Sequence, residues 1–306
     1  MTYLPSTVAS GAARLFTARE DTAASSQAVL TLSCPQHSGI VHSVSKFLFE
    51  RGFDIVEHQQ FDDSAAQRLY LRTAFVQREK AESVDDLAED FAEVAEKFSM
   101  DFTFHDGTRP RVLVMVSKMG HCLNDLIFRS TTGTLAADLV AVVSNHEDLR
   151  RMAESAGLPF IHIPVTAETK PAAEARLLAT IDEYDADLIV LARYMQILSP
   201  ELSSQLTGKA INIHHSFLPG FKGARPYHQA HVRGVKQIGA TAHYVTDDLD
   251  EGPIIEQEVI RVDHRLSPQE LAMVGRDNEA LALSKAVRLH VENRVLVDGL
   301  RTITFT

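Results

Sequence analysis

RVLVMVSKMGHCLNDLIFRSTTGTLAADLVAVVS (residues 111–144) decides the fold of the larger part of the chain. Two apolar runs, RVLVMVS (111–117) and LVAVVS (139–144), flank a helical segment around 121–130. Neither run alternates polar with apolar residues, so each is expected as a strand covered on both faces. FIHIPV (160–165), LIVLA (188–192) and AINIH (210–214) continue the pattern, separated by helical segments around 147–156, 171–184 and 199–207. Alternating strands and helices of this length imply a Rossmann-like, mostly parallel sheet with helices on both sides. GATAHYV (239–245) and IIEQEVIRV (254–262) read as later, antiparallel strands, and 267–293 as mostly helical.

Upstream of Thr108-Arg109-Pro110, read as a linker, the pattern differs. AVLTLS (28–33) is strand-like and stops at Cys34-Pro35, where proline ends regular pairing. Ile40, Val41, Val44, Phe47 and Leu48 share one helical face, with Gly52 as its stop. DIVEHQQF (54–61) and RLYLRTAFV (68–76) are two strands joined by the polar DDSAAQ. Val84, Leu87, Phe91, Val94 and Phe98 recur at spacings of three and four, a second helix that Ser83 and Asp86 open in the manner of a capping box. DFTFH (101–105) closes the unit. The order β-α-β-β-α-β is the ferredoxin-like, split βαβ arrangement. Its two helices cover one face of an antiparallel sheet, and the other face must be solvated or paired. The expected division is an N-terminal extension (1–27), a ferredoxin-like unit (28–107) and a second, α/β unit (108–306).

With 306 residues and 45% hydrophobic content, the chain can bury one core per unit. A net charge of -11 argues against a nucleic-acid binder that works by neutralising phosphates, though a small anionic ligand remains compatible with a local basic pocket. The two cysteines, Cys34 and Cys122, form no CxxC pair, which points to a reducing compartment. Residues 1–27 lack the apolar core of a signal peptide, and no stretch reaches membrane-spanning length. A cytoplasmic protein is expected.

The first strand–helix turn of the second unit, Ser117-Lys118-Met119-Gly120-His121-Cys122, has neither the GxGxxG of a dinucleotide site nor the GxxxxGK[ST] of a phosphate loop. The informative stretch is 210–258. Asn212 and His214 lie two apart at a strand end, on one face and roughly 7 Å apart. An amide can donate to a carbonyl oxygen, and an imidazole can exchange a proton near neutral pH. VTDDLDEGP then returns Asp250 from a later turn. Taken alone, an Asn and a His at the end of a buried strand are more often hydrogen-bond partners than catalysts. His214, His215, His228, His231 and His243 also raise a metal reading, but no HExxH is present and no metal is expected. His215 alternates away from His214, as a structural residue would. Asp247, Asp248 and Glu251 could form a solvated acidic turn.

INIHxSxLP, the His/Gly-rich loop after it and HxVTDxLDxGPII resemble the formyltransferase family that depends on 10-formyltetrahydrofolate. FKGARPYHQA (221–230), SKMGHCLNDL (117–126) and SNHEDLR (144–150) resemble, within it, the formyltetrahydrofolate deformylases. The first unit, with CPQHSG between strand and helix, resembles the ACT domain that precedes their catalytic domain. The interval from His214 to Asp250, 36 residues, matches the family's Asn/His/Asp set. The resemblance implies hydrolysis of 10-formyltetrahydrofolate to tetrahydrofolate and formate, balancing one-carbon folate pools and supplying formate for purine synthesis. Asn212, His214 and Asp250 would be catalytic, and no cofactor would be needed. Met195, Ile197, Leu198 and Val245 would hold the pterin, with the backbone of Thr246, Asp247, Asp248 and Leu249 reading its polar edge. Gln196 stands where many relatives have Arg, which bears on the folate tail. An amino-acid effector, methionine or glycine, would bind at Gln36, His37, Ser38 and Gly39. ACT pairing would make a homo-oligomer. A transferase that formylates an amine, and a folate-binding ACT sensor without activity, are the competing readings. Against the first, Lys118, His121 and Cys122 are expected to fill the acceptor side, while the FKGARPYHQA loop closes over the rest.

Overall fold

The computed structural model describes residues 27–77, 83–218 and 226–306. Residues 1–26 of the expected extension and the first half of the FKGARPYHQA loop lie outside the described residues.

The N-terminal unit is built as its periodicities require. Strand β1 (Ala28–Pro35) leads to helix α1 (Ile40–Glu50), strands β2 (Phe53–Asp63) and β3 (Arg68–Gln77), helix α2 (Val84–Phe98) and strand β4 (Asp101–His105). They pair in the order β2-β3-β1-β4, antiparallel throughout. Ser83 caps α2 by accepting from the Asp86 amide, satisfying one of the donors a helix start leaves open. Leu30, Leu32, Leu71 and Phe75 of the sheet meet Val44, Phe47, Leu87 and Phe91 of the helices in one core.

The second unit runs β5 (Arg111–Val116), α3 (His121–Thr131), β6 (Asp138–Ser144), α4 (Arg150–Ser155), β7 (Phe160–His162), α5 (Lys170–Glu183), β8 (Leu188–Leu191), α6 (Pro200–Gln205), β9 (Ala210–His214), α7 (Pro226–Arg233), β10 (Gln237–Tyr244), β11 (Ile254–Arg261), α8 (Pro268–Val291), β12 (Val295–Asp298) and β13 (Arg301–Thr304). Seven strands form one sheet, ordered β11-β10-β9-β8-β5-β6-β7. β9 through β7 are parallel, and β10 and β11 add antiparallel strands at the edge. One core joins the sheet to α3 and α8, and another joins its opposite face to α5 and α6. Two faces buried at once explain why the strand sequences show no alternation. Helix α8 begins with a complete capping box, Ser267 with Glu270, behind Pro268. Among the described residues, no helix is long and apolar enough to cross a membrane.

The second face of the N-terminal sheet is paired rather than solvated. Arg72, 3% exposed, points from it to the end of α8 and donates to the carbonyls of Glu292 and Asn293. Its third donor meets Glu57 at 2.6 Å, and Arg294 reaches the same carboxylate at 3.0 Å. Arg301 of the unforeseen β12–β13 hairpin pairs with Asp63 at 2.5 Å. Helix-end carbonyls have no partners within their helix, so a guanidinium is a fitting cap. Arg72→Met should lower the unfolding free energy by about 2 kcal/mol, since it uncaps those carbonyls while Arg294 still holds Glu57. Urea denaturation checks this, and an unchanged midpoint would show that solvent caps them equally well.

Candidate active site

In an open parallel sheet, functional loops gather at the carboxyl ends of the strands. β9 carries Asn212 and His214 to that edge. β10 runs antiparallel beside it and sets His243 opposite Asn212. The turn after β10 returns Asp250, a non-glycine residue in left-handed backbone with φ 58°. That turn folds close because residue 252 is glycine, where an added Cβ would lie 1.8 Å from the Tyr244 carbonyl oxygen.

Asp250 Oδ2 lies 3.2 Å from His214 Nδ1, and Oδ1 lies 3.7 Å from His243 Nε2. Asn212 Nδ2 is 3.3 Å from His243 Nε2, and His243 Nδ1 is 2.8 Å from the Tyr244 carbonyl. A carbonyl can only accept, so His243 donates to it from Nδ1, while its Nε2 faces both the Asn212 amide and the Asp250 carboxylate. That contact fixes the Asn212 amide where it lines the cleft. His214 Nε2 is buried with no partner among the described residues. Burial pushes the Asp250 carboxyl upward, but hydrogen bonds and charge from His214 and His243 outweigh it and hold the group well below the ordinary aspartate range. Asp250 is therefore a carboxylate at neutral pH.

A cleft of about 290 Å³ opens on these three residues. Met195, Ile197 and Leu198, from the segment after β8, form part of its wall, with Gln196 among them. Val245, Thr246, Asp247, Asp248 and Leu249, from the turn after β10, form another. Every residue expected for catalysis and substrate binding thus lines one cavity. Ser117 steadies it by accepting from the Met195 amide at 3.0 Å while donating to Asn145 at 2.6 Å. Gln36, His37, Ser38 and Gly39 sit apart, exposed in the turn between β1 and α1. There Gln36 donates to Asp62 at 3.1 Å, and Gly39 takes φ 92° at the start of the helix.

Three expectations about this edge need correction. Lys118 is exposed and fills nothing. Cys122 is buried in the core beneath α3, because the helix begins at His121 and rotates the next side chain inward. His215 does not turn away to a structural place: β9 ends at His214, alternation ends with it, and His215 lines the same cleft. Burial, then the charges of Arg193 and His214, push His215 down to about 4, so it is neutral at pH 7.

Three side chains, His243, Arg193 and Glu279, were given no place in this site by the sequence reading. His243 was legible in principle as the cross-strand neighbour of Asn212. Arg193, a charged residue directly after the apolar LIVLA run, lines the cleft in left-handed backbone with φ 66°. It approaches Glu279, 1% exposed in the middle of α8, at 3.4 Å. Glu279 also pairs with His121 at 2.8 Å and accepts from the Tyr227 hydroxyl at 2.7 Å. No short-range pattern marks it. The five histidines considered for a metal do not gather: His228 and His231 are exposed, and His231 binds the Leu266 carbonyl. Among the described residues, His121, Cys122 and Glu279 do bring ligand atoms within 4.8 Å. Arg193 already supplies the positive charge there, and burial holds the Cys122 thiol protonated, so the group suits a cation poorly.

The family described as formyl transferase matches residues 110–287. A formyltetrahydrofolate deformylase of Corynebacterium sp. (strain P-1) is 55% identical over 90% of this chain and 96% of its own length. The chain belongs to the formyltetrahydrofolate deformylase family. A solved structure of a deformylase from Burkholderia mallei superposes with a TM-score of 0.86 at 52% identity, covering 92% of this chain and 99% of that one. A glycinamide ribonucleotide transformylase from Symbiobacterium toebii gives 0.62 at 30% identity, covering 66% of this chain and 97% of its own.

Because the Asp250 pKa is depressed on folding, its link to His214 contributes stability above the ordinary carboxylate range and loses it only as pH falls through the lower folded value. The ¹³C signal of the Asp250 carboxyl should therefore stay constant from pH 7 down through the range where ordinary aspartates titrate. A midpoint at the ordinary value would mean that burial cancels the two imidazoles.

Proposed function

We propose that this protein hydrolyses 10-formyltetrahydrofolate to tetrahydrofolate and formate, with Asn212, His214 and Asp250 as its catalytic residues. The observation that carries the reading is the convergence of an amide, an imidazole and an ionised carboxylate on one cleft, in a chain of the deformylase family. The pterin lies against Met195, Ile197, Leu198 and Val245, and the backbone of Thr246–Leu249 reads its polar edge. Gln196 at the cleft wall meets the folate tail.

Asp250 accepts a hydrogen bond from a water molecule and orients it toward the formyl carbon. As the water oxygen adds, charge moves to the formyl oxygen. There the Asn212 amide donates an N–H, an interaction often worth ~3 kcal/mol of barrier. His214, held through Nδ1 by Asp250, turns Nε2 to the cleft, where it steadies the oxyanion or passes a proton to the leaving nitrogen. When the C–N bond breaks, its electron pair stays on the folate nitrogen. One proton from water joins that nitrogen, the other leaves to solvent, and the formyl group departs as formate. These groups complete the chemistry without a cofactor or metal.

The purified protein given 10-formyltetrahydrofolate alone should release formate over many turnovers, unaffected by exhaustive chelation. Asp250→Asn should keep the fold and lose turnover by orders of magnitude. No formate without an added amine, with rapid transfer when one is supplied, would instead make this protein a transferase.

We further propose that residues 28–107 form an ACT-like regulatory domain, and residues 108–306 the catalytic one. The exposed Gln36–Gly39 turn, with its left-handed glycine at a helix start, offers backbone donors suited to an amino-acid carboxylate. Methionine and glycine are the effectors this reading favours. Pairing of these domains would make a homo-oligomer, and the buried free cysteines fit the reducing cytoplasm. Calorimetry should detect one of the two amino acids, weakened by Ser38→Ala. Neither heat nor a rate change with either would remove the effector from the proposal.

A further inference from the structure

The sheet divides the neighbourhood of the reacting carbon. The cleft walls Leu191, Leu198 and Val245 belong to the core on the α5–α6 face. α3 and α8, which carry His121 and Glu279, pack on the opposite face. With the pterin on the first side, anything that attacks the formyl carbon from beyond the strand ends arrives on the second. Arg193, at the end of β8, stands on the crest between them: it lines the cleft and faces Glu279.

That second side is occupied by this chain's own charges. Burial pushes the Glu279 carboxyl upward, but His121, Arg193 and Tyr227 together outweigh it, so the group is ionised. Tyr227 reaches it only because residue 275, one turn earlier on α8, is glycine. An added Cβ there would meet the Tyr227 hydroxyl at 2.1 Å. Arg193 Nε is buried without a hydrogen-bond partner of good geometry, so its position is set by charge and by its left-handed backbone. Neutral His215 completes the barrier.

We propose that Arg193, held by Glu279, is the specificity-determining residue that reserves the formyl group for water and excludes amines. This rests on the deformylase reading of the same site. The guanidinium is charged at every working pH. It repels an ammonium, takes up the volume an amine substrate needs, and leaves a water molecule unaffected. Without it, an amine nitrogen can add to the formyl carbon. The C–N bond to folate then breaks, its electron pair stays on the folate nitrogen, and the proton lost by the amine joins that nitrogen.

The test is a partition experiment on the full chain. 10-Formyltetrahydrofolate is supplied with excess hydroxylamine or glycinamide, and formate and formylated amine are both measured. Arg193→Gly suits this test because glycine accepts the φ 66° backbone. Glu279→Gln keeps the contacts to His121 and Tyr227 but releases Arg193. The parent should yield formate almost exclusively. Arg193→Gly should shift the partition toward formylated amine by about tenfold or more, the scale on which a pocket contact discriminates. Glu279→Gln should shift it the same way by less. Folded variants, checked by circular dichroism, that partition like the parent would overturn the inference. A parent that releases no formate at all would instead overturn the function on which it rests.

Discussion

A carboxylate removed from water carries a penalty of several kcal/mol unless charge and donors meet it. The carboxyl edge of this sheet meets that constraint twice. Asp250 is compensated by His214 and His243, and Glu279 by Arg193, His121 and Tyr227. Each set draws on several elements, so the strand order has to place β9 beside both β8 and β10 before either charge can form. His215 lies between the two clusters and feels both. The chemistry and the packing of this edge are therefore one problem with one solution.

Much of this was legible in the chain before any coordinates. Buried parallel strands announce themselves as unbroken apolar runs, and Asn212 and His214 share a face because the pleat has a period of two. The start of α2 was readable in Ser83, which accepts from the Asp86 amide. The shortfall has physical reasons. Alternation predicts a side-chain direction only while a strand lasts, which is why His215 was misjudged. The turn before α3 set the roles of Lys118 and Cys122, and a turn's rotation cannot be counted from spacing. Glu279 needed partners 86 and 158 residues away, at Arg193 and His121, and no local pattern records such a meeting. The closing hairpin is short and half exposed, and it takes its form from the sheet it docks on.

The second face of the N-terminal sheet shows a related use of arginine. Arg72 turns from an apolar-looking strand to cap the end of α8, the helix that also carries Glu279. From Glu279 to Glu292 is 13 residues, roughly 20 Å of rigid helix at 1.5 Å per residue. One element thus joins the N-terminal sheet to Glu279, the partner of Arg193 at the cleft.

The positive φ angles of Arg193 and Asp250 have a consequence for how such a site persists. Left-handed backbone costs an ordinary residue about 1–2 kcal/mol, whereas glycine adopts it freely. At both positions, drift toward glycine would therefore relax the fold while erasing what the side chain does. Selection for stability and selection for these side chains pull the two codons in opposite directions. Screening for thermal robustness alone would tend to strip these two side chains from the cleft, with the loss concentrated where the backbone gained most.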